Sequence, residues 1–255
     1  MILTIDVGNS NIVIGGVIDD KIVFESRIRT DSTKTSDEYS MDLKLLLDVN
    51  AVNTDQIEGC IIASVVPQVL NSMQTAVKKL TGHTSLVVGP GLKTGLNIRL
   101  ENPNQTGADL VVGCVAALRE HKPPMIVIDM GTATTMVVLD ESGALIGGCI
   151  CPGVKISAET LTEKTALLPG LQLDQPKKAI GRNTIDCMRS GIMMGNAAML
   201  DGMISRMEEE LGQKTTVVAT GGISRFILPM CNTPIIYDKD LIIKGLAALY
   251  RDNKR

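Results

Sequence analysis

The sequence predicts a duplicated α/β protein, each half a mixed sheet flanked by helices. Two observations carry that prediction. An apolar run ending in Asp-x-Gly occurs twice, as Ile5-Asp6-Val7-Gly8 and as Ile128-Asp129-Met130-Gly131. Each copy leads through small hydroxyl or amide residues into a second apolar run, the pattern of a β-hairpin with a polar, Gly-containing turn. Each copy also opens the same order of elements: three strands, then helix, strand, helix. The division falls between residues 118 and 119, giving halves 1–118 and 119–255. Each half has the length of an ordinary domain.

In the first half, residues 2–6, 11–18 and 21–29 read as antiparallel strands, with a turn at Asp19-Asp20. A polar loop, Thr30–Glu38, follows. Residues 38–50 have helical spacing, with Met41, Leu43, Leu45, Leu46 and Leu47 as candidates for the buried face. Cys60–Val65 reads as a buried strand. Pro67–Leu80 reads as a helix, with Pro67 in the first turn where its missing N–H costs little. Leu86–Val88 is a strand, Gly89–Gly95 a loop, and 106–121 a helix.

The second half repeats the order. Met125–Asp129, Ala133–Leu139 and Ala144–Ile150 are strands, with a turn at 140–143. Helices are expected at 153–166, 182–211 (kinked near Gly191 or Gly195) and 240–250, and a strand at Thr215–Ala219.

Composition narrows the function classes. The chain is 44% hydrophobic and 21% charged, which is globular rather than disordered. With no Trp, three Tyr and two Phe, the core must be aliphatic. A net charge of −3 argues against a broad nucleic-acid or anionic-membrane surface, and no helix-turn-helix pattern is present. Six Cys without Cys-x-x-Cys, beside only two His, argue against a zinc site and for reduced core thiols. Cys149-x-Cys151 is the one pair with a redox reading. No signal peptide or run of 18 apolar residues is seen, so a soluble cytoplasmic protein is expected.

The two Asp-x-Gly turns carry the chemistry. Gly8 lets backbone approach a ligand closely, and Asn9, Ser10 and Asn11 add short donors. Consecutive backbone N–H groups in such a turn make an anion-binding nest. Asp6, at the strand end, suits a hydrated Mg²⁺ that bridges phosphate oxygens. An ordinary polar hairpin turn would read the same way, but the second copy sharpens the functional reading. There Asp129 is a cation-ligand candidate and Thr132 a phosphate contact. Thr220-Gly221-Gly222, after an apolar strand, reads as the adenosine end of a nucleotide site, although a plain turn also uses Gly-Gly. Asp109 sits where a helix starts. The helix dipole favours a carboxylate there, and a general base for phosphoryl transfer to a hydroxyl is the sharper reading. Asn183 or Thr184 suits an N-cap, with a substrate contact as the alternative.

These residues, in this order, resemble the acetate kinase/sugar kinase/Hsp70/actin superfamily, whose halves are ribonuclease H-like (actin-like ATPase) domains; the resemblance implies a mixed five-stranded sheet in each half. Within it the match is to the type III pantothenate kinases and runs nearly end to end. Asp6–Val13 resembles that family's first phosphate motif, and Asp129-x-Gly131-Thr132-Ala133-Thr134-Thr135 its second. Gly147-Gly148, Pro152-Gly153, Leu168-Pro169, Asn183-Thr184, Ser190-Gly191-Ile192, Thr220-Gly221-Gly222 and Lys244-Gly245-Leu246 resemble further landmarks.

The resemblance implies ATP-dependent phosphorylation of pantothenate, the first step to coenzyme A. It implies ATP contacts at Asp6, Val7, Gly8, Asn9, Ser10, Asn11, Ile12, Val13, Thr132, Gly221 and Gly222. It implies Asp109 as proton acceptor, and substrate contacts at Leu100, Gly107, Ala108, Asp109, Leu110 and Thr184. Asp129 would ligate a monovalent cation, K⁺ or NH4⁺, and Mg²⁺ would accompany ATP. A homodimer is implied as well. A non-catalytic relative of the Bvg accessory factor group would share the fold, but the intact Asp6, Asp109 and Asp129 count against that reading.

Two positions depart from the family pattern. The family usually has Arg at the position of Leu110 and Tyr at that of Leu100. Losing an Arg that pairs with a buried charged ligand group costs about 2–5 kcal/mol, a factor of about 30 or more in binding. Arg99 and Lys155 are the nearby cations that could compensate. A kinase of the same fold with another small acceptor is the corresponding alternative.

Overall fold

The computed structural model describes residues 1–254. They form two compact units: residues 1–96, 102–116 and 240–254 make the first, and 97–101 with 117–239 the second.

The first unit is built on a five-stranded sheet. Its strands are β1 (Ile2–Val7), β2 (Asn11–Ile18), β3 (Lys21–Arg29), β4 (Gly59–Ser64) and β5 (Leu86–Val87), in the order β3-β2-β1-β4-β5. β1, β2 and β3 pair antiparallel, and β1, β4 and β5 pair parallel. The β2–β3 turn places Asp19 at φ 45° and Asp20 at φ 65°. Both central residues are therefore left-handed, as a tight hairpin requires, and Asp tolerates that region better than most residues.

Helices α1 (Ser36–Val49) and α2 (Pro67–Thr81) cover one sheet face. Leu3, Ile5, Val7, Ile12 and Ile14 pack there with Tyr39, Leu43, Leu47, Val69, Met73 and Val77. The buried α1 residues are Tyr39, Leu43 and Leu47, at spacing four. Met41 and Leu45, also expected in the core, are 72% and 64% exposed. They lie two residues off the buried stripe, about half a helical turn away.

The helix also starts earlier than its hydrophobic period indicates, because Thr35 closes a capping box. Glu38 N donates to Thr35 Oγ1 at 3.3 Å, and Thr35 N donates to Glu38 Oε2 at 2.8 Å. Thr35→Ala should lower stability by about 1 kcal/mol, read as a lower urea midpoint with unchanged slope.

Helix α3 (Ala108–Glu120) begins in this unit, and α7 (Leu241–Asn253) ends it. Sequence order alone would put α7 with the C-terminal half. It packs instead on the first sheet, where Ile243 and Ala247 meet Val17. A Cβ on Gly245 would lie 2.5 Å from Val112 O, so glycine lets α7 cross close to α3.

The second unit repeats the topology. Its strands are β6 (Met125–Met130), β7 (Ala133–Leu139), β8 (Leu145–Pro152), β9 (Thr216–Thr220) and β10 (Ile236–Tyr237), ordered β8-β7-β6-β9-β10. Again the first three are antiparallel and the last two join β6 in parallel. Helices α4 (Val154–Lys164) and α5 (Thr184–Leu211) pack on one face, with Ile126, Ile128 and Met130 against Val154, Ile192, Met193, Ala197 and Leu200. The long helix runs unbroken through Gly191 and Gly195. A short helix, α6 (Ser224–Ile227), follows β9. Among the described residues no helix is long and apolar enough to cross a membrane.

Candidate active site

In the first unit the candidate residues gather at the C-terminal ends of β1 and β4, where open α/β sheets bind ligands. Asp6 is the penultimate residue of β1, paired with Val13 on β2 and Ala63 on β4. The loop after it is closed by Gly8 N donating to Asn11 O at 3.0 Å. Asn9, Ser10 and Asn11 are exposed. Val7 and Ile12 are fully buried in the core, so only their backbone can meet a ligand. Val13 is half-buried.

Thr30, which sequence reasoning missed, braces this loop. Its Oγ1 donates to Gly8 O at 2.6 Å, and its N–H donates to Ser10 O at 3.1 Å. The only signal for it was its position directly after β3.

Asp109 lies in the first turn of α3. Leu110 N donates to Asp109 Oδ1 at 2.8 Å. Burial pushes the Asp109 carboxyl above the usual carboxylate range, and backbone N–H bonds from Leu110 and from Asp109 itself oppose that rise. The start of α3 is tied to the Asp6–Asn11 loop through the residue that follows β4. Val65 N donates to Val7 O at 3.1 Å, and Val65 lies beside Gly107. Ala108 and Leu110 are half-buried neighbours of Asp109.

In the second unit Asp129 holds the place that Asp6 holds in the first. It is penultimate in β6, opposite Thr135 on β7 and beside Thr220 on β9. Paired residues point to the same face, so one carboxylate stands between two Thr side chains. Gly131 N donates to Ala133 O at 3.0 Å, closing a turn that carries Thr132. A Cβ on Gly153 would lie 2.1 Å from Thr132 O, so the end of β8 packs backbone to backbone on this turn.

Thr135 Oγ1 is buried and has no hydrogen-bond partner among the described residues. Such an orphaned hydroxyl costs about 1–3 kcal/mol, and it faces the row that Asp129 occupies. A carboxylate and a neutral hydroxyl are the oxygen donors that a hard cation takes, so the donor set at Asp129 fits a hard cation. In the first unit, Asp6 beside exposed short donors fits a hydrated Mg²⁺.

Gly221 has φ 100°, and a Cβ there would lie 2.4 Å from Met130 O. The loop after β9 therefore presses on the end of β6. Gly222 is exposed beside it. Tyr237 OH donates to Gly221 O at 3.4 Å, which sets an aromatic side chain at this loop. Sequence reasoning did not single out Tyr237, since its two-residue strand has no period of its own.

Asn183, not Thr184, caps α5, accepting from Asp186 N at 2.9 Å. Thr184 is the exposed first helical residue. Leu100 lies in the segment at 97–101 whose Ile98 bridges Leu145 at the edge of β8. Arg99, a candidate to replace the missing Arg, is engaged with Asp140 at 3.1 Å. Lys155 faces Glu159 at 3.6 Å. A groove of about 450 Å³ between α4 and residues 170–173 is lined by Lys155 but by none of the residues predicted to contact ATP, acceptor or cation. Burial, with neighbouring Cys151, pushes the Cys149 thiol up to about 11, which makes it a poor nucleophile at neutral pH.

The type III pantothenate kinase family model matches residues 2–206. A type III pantothenate kinase from an Exiguobacterium species is 44% identical over 255 residues, covering all of both chains. The chain belongs to the type III pantothenate kinase family. Among solved structures, a Baf-family protein from Campylobacter jejuni described as a transcriptional activator is similar, with TM-score 0.61 and 18% identity over 98% of each chain. A protein from Sinorhizobium meliloti described as a 2-dehydro-3-deoxygalactonokinase has TM-score 0.63 and 14% identity, covering 100% of this chain and 97% of its own. At those identities the likeness is one of fold: the actin-like ATPase and sugar-kinase architecture that this pantothenate kinase family shares.

Proposed function

We propose that the chain phosphorylates pantothenate with ATP, giving 4'-phosphopantothenate in the first step of coenzyme A biosynthesis. The observation that carries the reading is the partly buried Asp109 carboxylate at the strand ends that also carry the Asp6 loop. Family membership supports it over the whole chain.

The loop from Asp6 to Asn11 offers backbone N–H groups and short side chains to ATP phosphates. Thr132 offers a further phosphate contact, and Gly221 and Gly222 leave room for adenosine. The pantothenate hydroxyl attacks the γ-phosphorus, its proton passes to an Asp109 carboxylate oxygen, and the bond from the γ-phosphorus to the bridging oxygen breaks to release ADP. Deprotonated Asp109 is the competent form, held ready by the Leu110 N–H. Gly107, Ala108, Leu110, Leu100 and Thr184 are the acceptor-binding residues in this scheme. Positioning and charge neutralisation carry most of the barrier lowering.

Asp6 would hold Mg²⁺ through water, and Asp129 with Thr135 would hold K⁺ or NH4⁺. These ions supply neutralisation of phosphate charge. Asp129→Asn is expected to reduce turnover in KCl to the level in choline chloride and to abolish any K⁺-dependent rise in melting temperature. An undiminished K⁺ response would remove Asp129 from the cation site.

A homodimer fits the exposed small residues Gly191, Gly195 and Ala198 along α5, with exposed Ile180 and Ile185 near its start. Six free thiols suit the reducing cytoplasm.

Leu110 favours a second reading, an acceptor lacking the charged group that Arg would have met. Mass spectrometry after incubation of the enzyme and ATP with pantothenate and related small hydroxyl acids separates the two. Pantothenate as the preferred acceptor upholds the first, and preference for a less charged alcohol upholds the second.

A further inference from the structure

We propose that Gly107 is a positioning residue for the Asp109 carboxylate, which occupies the space a side chain at 107 would take. The inference rests on the reading of Asp109 as proton acceptor. A Cβ built on Gly107 would lie 2.4 Å from Asp109 Oδ1. Its next neighbours are Asp109 Cγ at 3.6 Å and Val65 Cγ1 at 3.7 Å, both ordinary van der Waals contacts. The group that opposes a methyl at this position is therefore the carboxylate itself.

The backbone does not require glycine here, because Gly107 is not among the residues with positive φ. Glycine at 107 thus serves neither a left-handed turn nor a close backbone crossing, unlike Gly221 and Gly245. The clash also falls on the end of a short side chain, which relieves it by turning about its own bonds. Alanine at 107 leaves the fold standing and moves the carboxylate.

The displacement has a defined electrostatic sign. Asp109 Oδ1 accepts from Leu110 N at 2.8 Å, and that bond lowers a pKa that burial raises. Pushing the oxygen away weakens the opposing bond while burial persists. The carboxyl of the variant therefore titrates higher than that of the wild type.

The experiment compares Gly107→Ala, Asp109→Asn and the double variant with wild type, measuring kcat, KM for ATP, the pH profile of kcat/KM and the melting temperature. Gly107→Ala should melt close to wild type and keep its KM for ATP. Its kcat should fall about 100-fold, the loss typical of a displacement near 1 Å. Its acid limb should move to higher pH. In the Asp109→Asn background the same substitution should lower kcat little further and shift no acid limb, because the base is already gone, and any remaining effect falls on KM for pantothenate.

Normal turnover and an unshifted acid limb in Gly107→Ala, with Asp109→Asn inactive, would overturn the positioning role alone. An equal loss in both backgrounds, or a large fall in melting temperature, would also overturn it. Near-normal turnover of Asp109→Asn would instead overturn the base assignment on which the inference rests.

Discussion

Asp109→Asn should fold, bind ATP and lose about 10²–10⁴-fold in turnover, the contribution typical of a positioned general base. The same variant should be no less stable than wild type at neutral pH. The folded-state pKa of Asp109 lies above its unfolded value, because burial disfavours the charged carboxylate. The folded protein therefore holds this proton more tightly than the unfolded chain does. The stability associated with the group is present at low pH and is lost as pH rises through the folded pKa. At neutral pH the charged form weakens the fold, so a neutral Asn relieves it. Activity has the opposite dependence: kcat/KM of the wild type should fall as pH drops through the raised pKa. A variant that is as stable as wild type and nearly inactive identifies a group kept for chemistry. A variant that turns over normally ends the base assignment.

Gly221→Ala should be the most destabilising of the site substitutions. The residue has φ 100°, and a Cβ would approach Met130 O at 2.4 Å, C at 2.7 Å and N at 2.9 Å. A strained backbone costs about 1–3 kcal/mol, and the steric conflict adds about 1–3 kcal/mol. Unlike the carboxylate near Gly107, the obstructing atoms here are backbone and cannot turn aside. Relief requires the loop after β9 to part from the end of β6, which displaces Gly222 and Tyr237 together. The expected result is a melting temperature lower by roughly 10 °C and a marked rise in KM for ATP. An unchanged melting temperature would show that the loop has room the geometry denies.

The paired architecture was legible because its signals are local. Two Asp-x-Gly turns each sit between apolar runs, and Asp19-Asp20 marks a hairpin without help from distant residues. What sequence reasoning missed depends on partners far along the chain. β10 is two residues long and exists through its pairing with Val218 and Ala219. The position of α7 is set by Val17, which lies more than 200 residues before it. The start of α1 came from a capping box rather than from hydrophobic period, and two of its expected core residues face solvent.

The site divides in the same way. Asp6, Asp109 and Asp129 were readable as carboxylates at element ends. Thr30 and Tyr237 are ordinary strand or loop residues in sequence, and only the fold brings them to Gly8 and Gly221; Thr135 was legible as a hydroxyl of the second motif, and strand pairing sets it opposite Asp129. The Asp109 carboxylate over Gly107 is a side-chain conformation, which no spacing rule encodes.

The most direct measurement of the central claim is coupled ADP release in KCl, with and without pantothenate. The account predicts that ADP appears only when pantothenate is present, in step with its consumption, and that Asp109→Asn lowers the signal about 10²–10⁴-fold. ADP release at the same rate without pantothenate, or ATP binding with no turnover in its presence, would contradict it.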